Sequence, residues 1–149
     1  MRISISGEVD SIKNKSVGED YHLVASPIKR TIQALLDKND YGSSVSLLFL
    51  CPTIYSDEML AASKYRERAR WSPKTGETDL RLRIDYAAYA KADGEGRKRL
   101  LLENVVRSIR ILDAKVRKAK GSFDGARLER DVSSAFGVRF GELDLALKK

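Results

Sequence analysis

With 149 residues, 42% of them hydrophobic, 33% charged and only three proline, the chain has the length of one domain with its own core and is too apolar to be disordered. No apolar run approaches the roughly 20 residues of a membrane span. The start, MRISISGEVD, has no apolar stretch of the kind found in secretory signals, so a soluble cytoplasmic protein is expected. The single cysteine, Cys51, rules out an internal disulfide and fits a reducing compartment.

The formal charge of +7 points toward an acidic partner such as nucleic acid, but it is unevenly spread. Residues 1–60 carry six Lys and Arg against eight Asp and Glu, a net of −2, which leaves +9 for the remainder. Between Arg97 and Lys120, nine basic residues face only Glu103 and Asp113.

In chain order, a short strand is predicted over 2–6, with Ile3 and Ile5 on its buried face. Residues 7–18 read as a polar loop. A helix follows over about 19–38, with Ile28, Ile32, Leu35 and Leu36 on one face. Pro27 sits awkwardly in its first turns, and Ser26 is an alternative start that would put Pro27 at the first helical position. Asn39 to Gly42 break the chain, and VSLLFLC, closed by Pro52, reads as a central strand buried on both faces. Residues 53–63 are ambiguous, with a short helical turn at 57–60. Residues 64–71 alternate as an exposed edge strand, carrying Lys64, Arg66, Arg68 and Arg70 on one side. The turn SPKTG joins it as a hairpin to a strand over 77–85, in which Thr78, Leu80, Leu82 and Ile84 alternate with charged residues.

A short helix is predicted over 86–92, then a long one from about Gly96 to Lys118. Its apolar stripe runs through Leu101, Val105, Ile109, Leu112 and Val116. A last helix covers 126–136. The class is α/β or α+β, with a small mixed or antiparallel sheet of about four strands packed against two long helices and an extra C-terminal helix. The chain reads as one domain, 1–149, within which 121–149 is a candidate C-terminal extension.

Chemistry is scarce. His22 is the only histidine, which removes most metal sites and histidine-assisted nucleophiles. Cys51 lies in the most apolar segment, where a cysteine acts as a small hydrophobe. Gly94 to Gly96 precede a helix but lack the further glycines of a phosphate loop. The neighbouring acids Glu19 and Asp20, Asp57 and Glu58, and Asp79 and Asp85 arise freely in so charged a chain. No catalytic residue, cofactor or metal is expected. The basic helix, 97–120, with Arg107, Arg110 and Arg117 opposite the apolar stripe, reads as a solvated face, and a nucleic-acid-binding module built on it is the rival reading. No aromatic residue is interleaved with its charges to stack single-stranded bases.

RLRIDY at 81–86, followed by AYAKADGEGRKRLLLENVVRSIRIL at 88–112, resembles the most recognisable stretch of the immunity protein 44 family of bacterial polymorphic-toxin systems. RISISGEVDS at 2–11 and DYGSSV at 40–45 are similar to the family in order and spacing, and together these pieces cover about half the chain. The resemblance implies a non-catalytic antidote, often associated with contact-dependent growth inhibition, that binds the C-terminal domain of a cognate toxin and blocks its active site or access to substrate. It transfers no contact residues.

Many such toxins are nucleases with basic clefts, so charge complementarity points to the acidic first 60 residues. Glu8, Asp10, Glu19, Asp20, Asp57 and Glu58, around Tyr21 and Tyr55, form the expected contact set. Against an acidic toxin face, Arg66, Arg68 and Arg70 on the edge strand become the alternative.

Overall fold

In the computed structural model, which describes residues 1–10 and 15–148, the elements are β1 (Arg2–Ile5), β2 (Glu8–Val9), α1 (Lys15–Lys38), β3 (Leu47–Leu50), β4 (Thr53–Ile54) and α2 (Asp57–Ser63). They continue with β5 (Arg68–Trp71), β6 (Thr78–Arg81), α3 (Tyr86–Lys91), α4 (Gly94–Lys118) and α5 (Gly125–Phe136). The main sheet has the order β1-β3-β6-β5. β1, β3 and β6 run parallel, and β5 is antiparallel to β6. The sheet is therefore mixed, in an α+β fold. The predicted hairpin turn closes with Gly76 at φ +77°, its N–H donating to the Ser72 carbonyl at 2.7 Å.

Period-two alternation decides which sheet face meets the helices. Ile3, Leu48, Leu50, Leu80 and Ala69 are buried, while Arg2, Ser4, Leu47, Phe49, Asp79, Arg81, Arg68 and Arg70 on the other face are not. The predicted two-sided burial of the VSLLFLC strand is thus wrong: Leu47 and Phe49 are only half-buried, because helices cover just one side of β3. α1 packs on β1 and α4 on β5, α1 and α4 touch each other, and α5 closes over both.

The long helix follows its pattern. Leu101, Val105, Ile109, Leu112 and Val116 are all 0–1% exposed, each worth about 1.5–3 kcal/mol when fully buried. Within this stripe Asn104 is also buried, and its Nδ2 donates to the Leu82 carbonyl at 2.9 Å, pinning α4 to the chain leaving β6. Gln33 does the same for α1, its Oε1 accepting from the Ile3 N–H at 3.0 Å.

The loop predicted over 7–18 is also corrected. β2 occupies Glu8–Val9, paired in parallel with β4, and α1 starts at Lys15; the stretch between, 11–14, lies outside the described residues. A two-residue strand has no periodicity to detect. Its hydrogen bonds, Glu8 N–H to the Pro52 carbonyl at 3.0 Å and Asp10 N–H to Ile54 at 2.9 Å, come from a segment more than forty residues away. Pro27 does not start the helix but lies inside it, exposed on the outer face, where water can satisfy the carbonyl of Leu23 that the missing N–H leaves open.

One carboxylate joins the sheet, the helices and the C-terminal segment. The side chain of Glu67, just before β5, is 0% exposed. Its oxygens accept from Arg107 Nη1 at 2.6 Å and Nη2 at 2.8 Å, from the Arg83 N–H at 2.8 Å and from the Lys148 N–H at 2.8 Å. Burial alone would push this carboxyl up, but the bonds from Arg107, Lys148 and Arg83 outweigh it and hold the group below its ordinary value. Arg107 also donates to the carbonyls of Asp144 and Ala146, and Arg110 to that of Phe140, which ties residues 140–148 down along α4.

Glu67→Gln should cost about 3–5 kcal/mol in urea unfolding, because it leaves the Arg107 charge uncompensated beside a buried amide. Since the folded carboxyl titrates below its unfolded value, its contribution is complete above the unfolded pKa of about 4.3 and is lost as pH falls through the folded one. Stability measured from pH 7 to pH 3 should fall less steeply in the variant than in the native chain.

Candidate functional site

The segment leaving β4 carries the densest group of functional side chains. Ser56 caps α2: its Oγ accepts from the Met59 N–H at 3.3 Å and donates to Asp10 Oδ2 at 2.6 Å. Asp10 is only 4% exposed. It therefore orients α2 from beneath rather than meeting a partner itself. Asp57 and Glu58 follow in the first turn, exposed, where acids suit the positive end of a helix.

Tyr55 lies beside them. Its hydroxyl donates to Glu8 Oε2 at 2.6 Å, and its ring meets that of Tyr65 edge-on at 6.0 Å. The bond to Glu8, with burial, pushes the Tyr55 phenol up to about 12, so it stays a neutral donor at physiological pH. Glu8 is itself held by Arg81, whose Nη1 donates to Glu8 Oε1 at 3.1 Å and whose Nε donates to Asp79 Oδ1 at 3.1 Å. Arg68 Nε stands 4.0 Å from the other Asp79 oxygen. A ladder of alternating charge thus crosses the sheet face that no helix covers, and Glu8 belongs to that ladder.

Between α2 and the start of α3 opens a cleft of about 300 Å³, lined by Tyr55, Asp57, Glu58, Arg83, Asp85 and Tyr86 among others. Asp85 caps α3, accepting from the Ala88 N–H at 2.9 Å. Both walls follow the carboxyl ends of parallel strand segments, β4 on one side and β6 on the other, the place where open α/β sheets form ligand crevices. That rule is the signal that would have led from RLRIDY to Arg83, Asp85 and Tyr86, which are outside the expected contact set.

The other expected residues sit apart from the cleft. Glu19 is exposed on α1, at a shallow depression with Gly7, Val9 and Tyr21. Asp20 is paired with the buried Arg97, 3.0 Å from its Nη1. The Tyr21 hydroxyl is buried and its ring lies against Gly7, where a Cβ would come within 2.2 Å of Cζ, so only glycine fits there. Burial, with Cys51 and Tyr89 nearby, pushes the Tyr21 phenol well above its ordinary range. Of the eight acidic-face residues, Tyr55, Asp57 and Glu58 share the cleft, Glu8 and Asp10 support it, and Glu19, Asp20 and Tyr21 belong to a separate surface.

Only part of the basic helix is the solvated face predicted for it. Arg97 is buried, Arg107 and Arg110 make two-pronged bonds to Glu67 and Glu129, and Arg117 pairs with Asp113. Lys98 and Arg99 lie over the rings of Phe136 and Phe140 at 5.3 and 4.9 Å. Arg97, Arg107 and Arg110 are thus spent within the fold, while Arg99, Lys115, Arg117, Lys118 and Lys120 stay exposed. Arg66 and Arg70 are exposed beside β5, and Arg68 is half-exposed there. Among the described residues, no helix is long and apolar enough to cross a membrane.

The chain is thus an α+β domain with a mainly acidic cleft at the ends of its parallel strands and several arginines committed to internal carboxylates. A family model described as Immunity protein 44 matches residues 1–137, and the chain belongs to that family. The match takes in α5 and leaves only the last residues, pinned by Arg107 and Arg110, outside it. No curated protein and no solved structure matches the chain.

Ser56→Ala removes the α2 cap and one donor to Asp10, and should cost about 1–2 kcal/mol, with the largest rise in amide exchange confined to 57–63. Titrated with duplex DNA at two salt concentrations, the protein should bind no more tightly than the roughly 10⁻⁴–10⁻⁶ M of non-specific association. Nanomolar, steeply salt-dependent binding would restore the nucleic-acid reading.

Proposed function

We propose that this immunity protein binds the C-terminal domain of a cognate toxin, a nuclease, and blocks its active site or its access to substrate, without catalysis of its own. The observation that carries this reading is the cleft of Tyr55, Asp57, Glu58, Arg83, Asp85 and Tyr86, in which three acids outnumber one base on a chain of net charge +7. Nucleases concentrate positive charge around the substrate phosphates, and an acidic cleft with aromatic walls can receive a basic side chain from such a surface. The two tyrosines supply contact area at low entropic cost, as aromatic anchors do at the centres of interfaces. Glu8 and Asp10 hold Tyr55 and α2 in place for this role, while Glu19 stands on a separate surface of α1.

In this reading the protein acts in the cytoplasm, as part of a bacterial polymorphic-toxin or contact-dependent growth inhibition system, and its gene neighbours that of a large secreted protein with a variable C-terminal domain. Co-expression with that domain should rescue growth. The double variant Asp57→Lys/Glu58→Lys should weaken toxin binding by tenfold or more in calorimetry, chiefly through faster dissociation, while unfolding stays cooperative. Unchanged affinity would move the interface elsewhere.

A further inference from the structure

Strand β5 ends the sheet, and its pairing fixes which of its backbone groups remain open. Arg68 pairs with Arg81, Ala69 with Leu80, Arg70 with Asp79 and Trp71 with Thr78. The Ser72 N–H donates to the Glu77 carbonyl at 2.9 Å, which sets the phase of the antiparallel ladder. Residues 68, 70 and 72 therefore exchange bonds with β6, and residues 67, 69 and 71 turn their N–H and C=O groups outward.

The chain already uses the first of these outward positions. The Glu67 N–H donates to the Lys148 carbonyl at 2.8 Å, and the Lys148 N–H returns to Glu67 Oε1 at the same distance. The C-terminal segment thus reaches the edge at Glu67. Beyond it, Ala69 and Trp71 have no partner for their outward backbone groups among the described residues. Leu145 and Leu147, two of the three exposed large apolar side chains among the described residues, stand in the segment that leads to this point.

The side chains decide what can be added. Arg66 and Arg70 are exposed and have no carboxylate within 4.0 Å among the described residues, and Arg68 is held only at that limit by Asp79. A second copy pairing with itself along β5 would set these arginines against one another, and like charges directly opposite destabilise a strand pair. A strand with carboxylates at every second position would instead match them across the pleat.

We propose that the free edge of β5 receives an extended acidic segment of a partner polypeptide, added as a further strand at Ala69 and Trp71 and held by Arg66, Arg68 and Arg70. Backbone bonds supply affinity and the arginines supply selectivity, as in other strand-addition complexes. This surface is separate from the acidic cleft and does not rest on the toxin's being a nuclease.

The test uses the full chain and two capped decapeptides, one alternating valine with glutamate and the other valine with lysine. Trp71, the only tryptophan, reports from the edge itself. The glutamate peptide should give a saturable change in Trp71 fluorescence that weakens with salt, and should slow amide exchange at Ala69 and Trp71 tenfold or more. The lysine peptide should do neither. Arg66→Glu/Arg70→Glu, at two exposed positions, should weaken the glutamate peptide at least tenfold while leaving the thermal transition in place. Equal binding of both peptides, binding without protection of Ala69 and Trp71, or a β5-mediated dimer in sedimentation would each overturn the proposal. Because the cleft residues are untouched, failure here leaves the affinity loss of Asp57→Lys/Glu58→Lys as a separate result.

Discussion

The buried carboxylate of Glu67 is the constraint on which the arrangement turns. Four segments converge on it: the entry to β5 that bears it, the chain leaving β6 through Arg83, α4 through Arg107, and the C-terminal stretch through Lys148. A carboxylate removed from water is costly unless every lone pair is used. Here the cost is offset only when all four segments are in register. The position of the edge strand relative to the long helix is thereby specified by one group, and the last residues are ordered by polar contacts rather than by a core of their own.

Much of this architecture was legible in the sequence because its signals are local. Leu101 to Val116 spell out a helix face, and the alternation from Thr78 spells out a strand, though β6 ends at Arg81 and only the burial of Leu82 and Ile84 continues it. The features that escaped depend on distant partners. β2 exists because Pro52 and Ile54 offer carbonyls to it, and Glu67 looks like any charged residue in an alternating strand until Arg107, forty positions on, reaches it. The acidic contact set was read as one face because charge is easy to count along a chain. Its division into a cleft, a buried support and a helix surface follows from Ser56 capping α2 over Asp10 and from Arg97 drawing Asp20 inward, and neither pairing has a sequence signature.

Net charge proved a weak guide to the surface for the same reason. Arginine accounts for much of the positive excess on α4, yet its planar, two-pronged geometry suits internal carboxylates, and Arg107 and Arg110 are consumed that way. Among what remains exposed, acids gather between α2 and α3 beside Arg83, unpaired arginines stand beside β5, and lysines crowd the end of α4. A basic protein can in this way offer partners two surfaces of opposite sign.

The segment around Lys148 meets the sheet at Glu67, on the edge opposite to β1. Anything joined ahead of Met1 emerges beside β1, far from the open backbone of Ala69 and Trp71. Anything joined behind the C-terminal stretch emerges next to it, and so competes for that edge at a high local concentration. For this fold the choice of fusion end is therefore a choice of which sheet edge stays accessible, and extending the tail is a route to altering partner preference that leaves the core untouched.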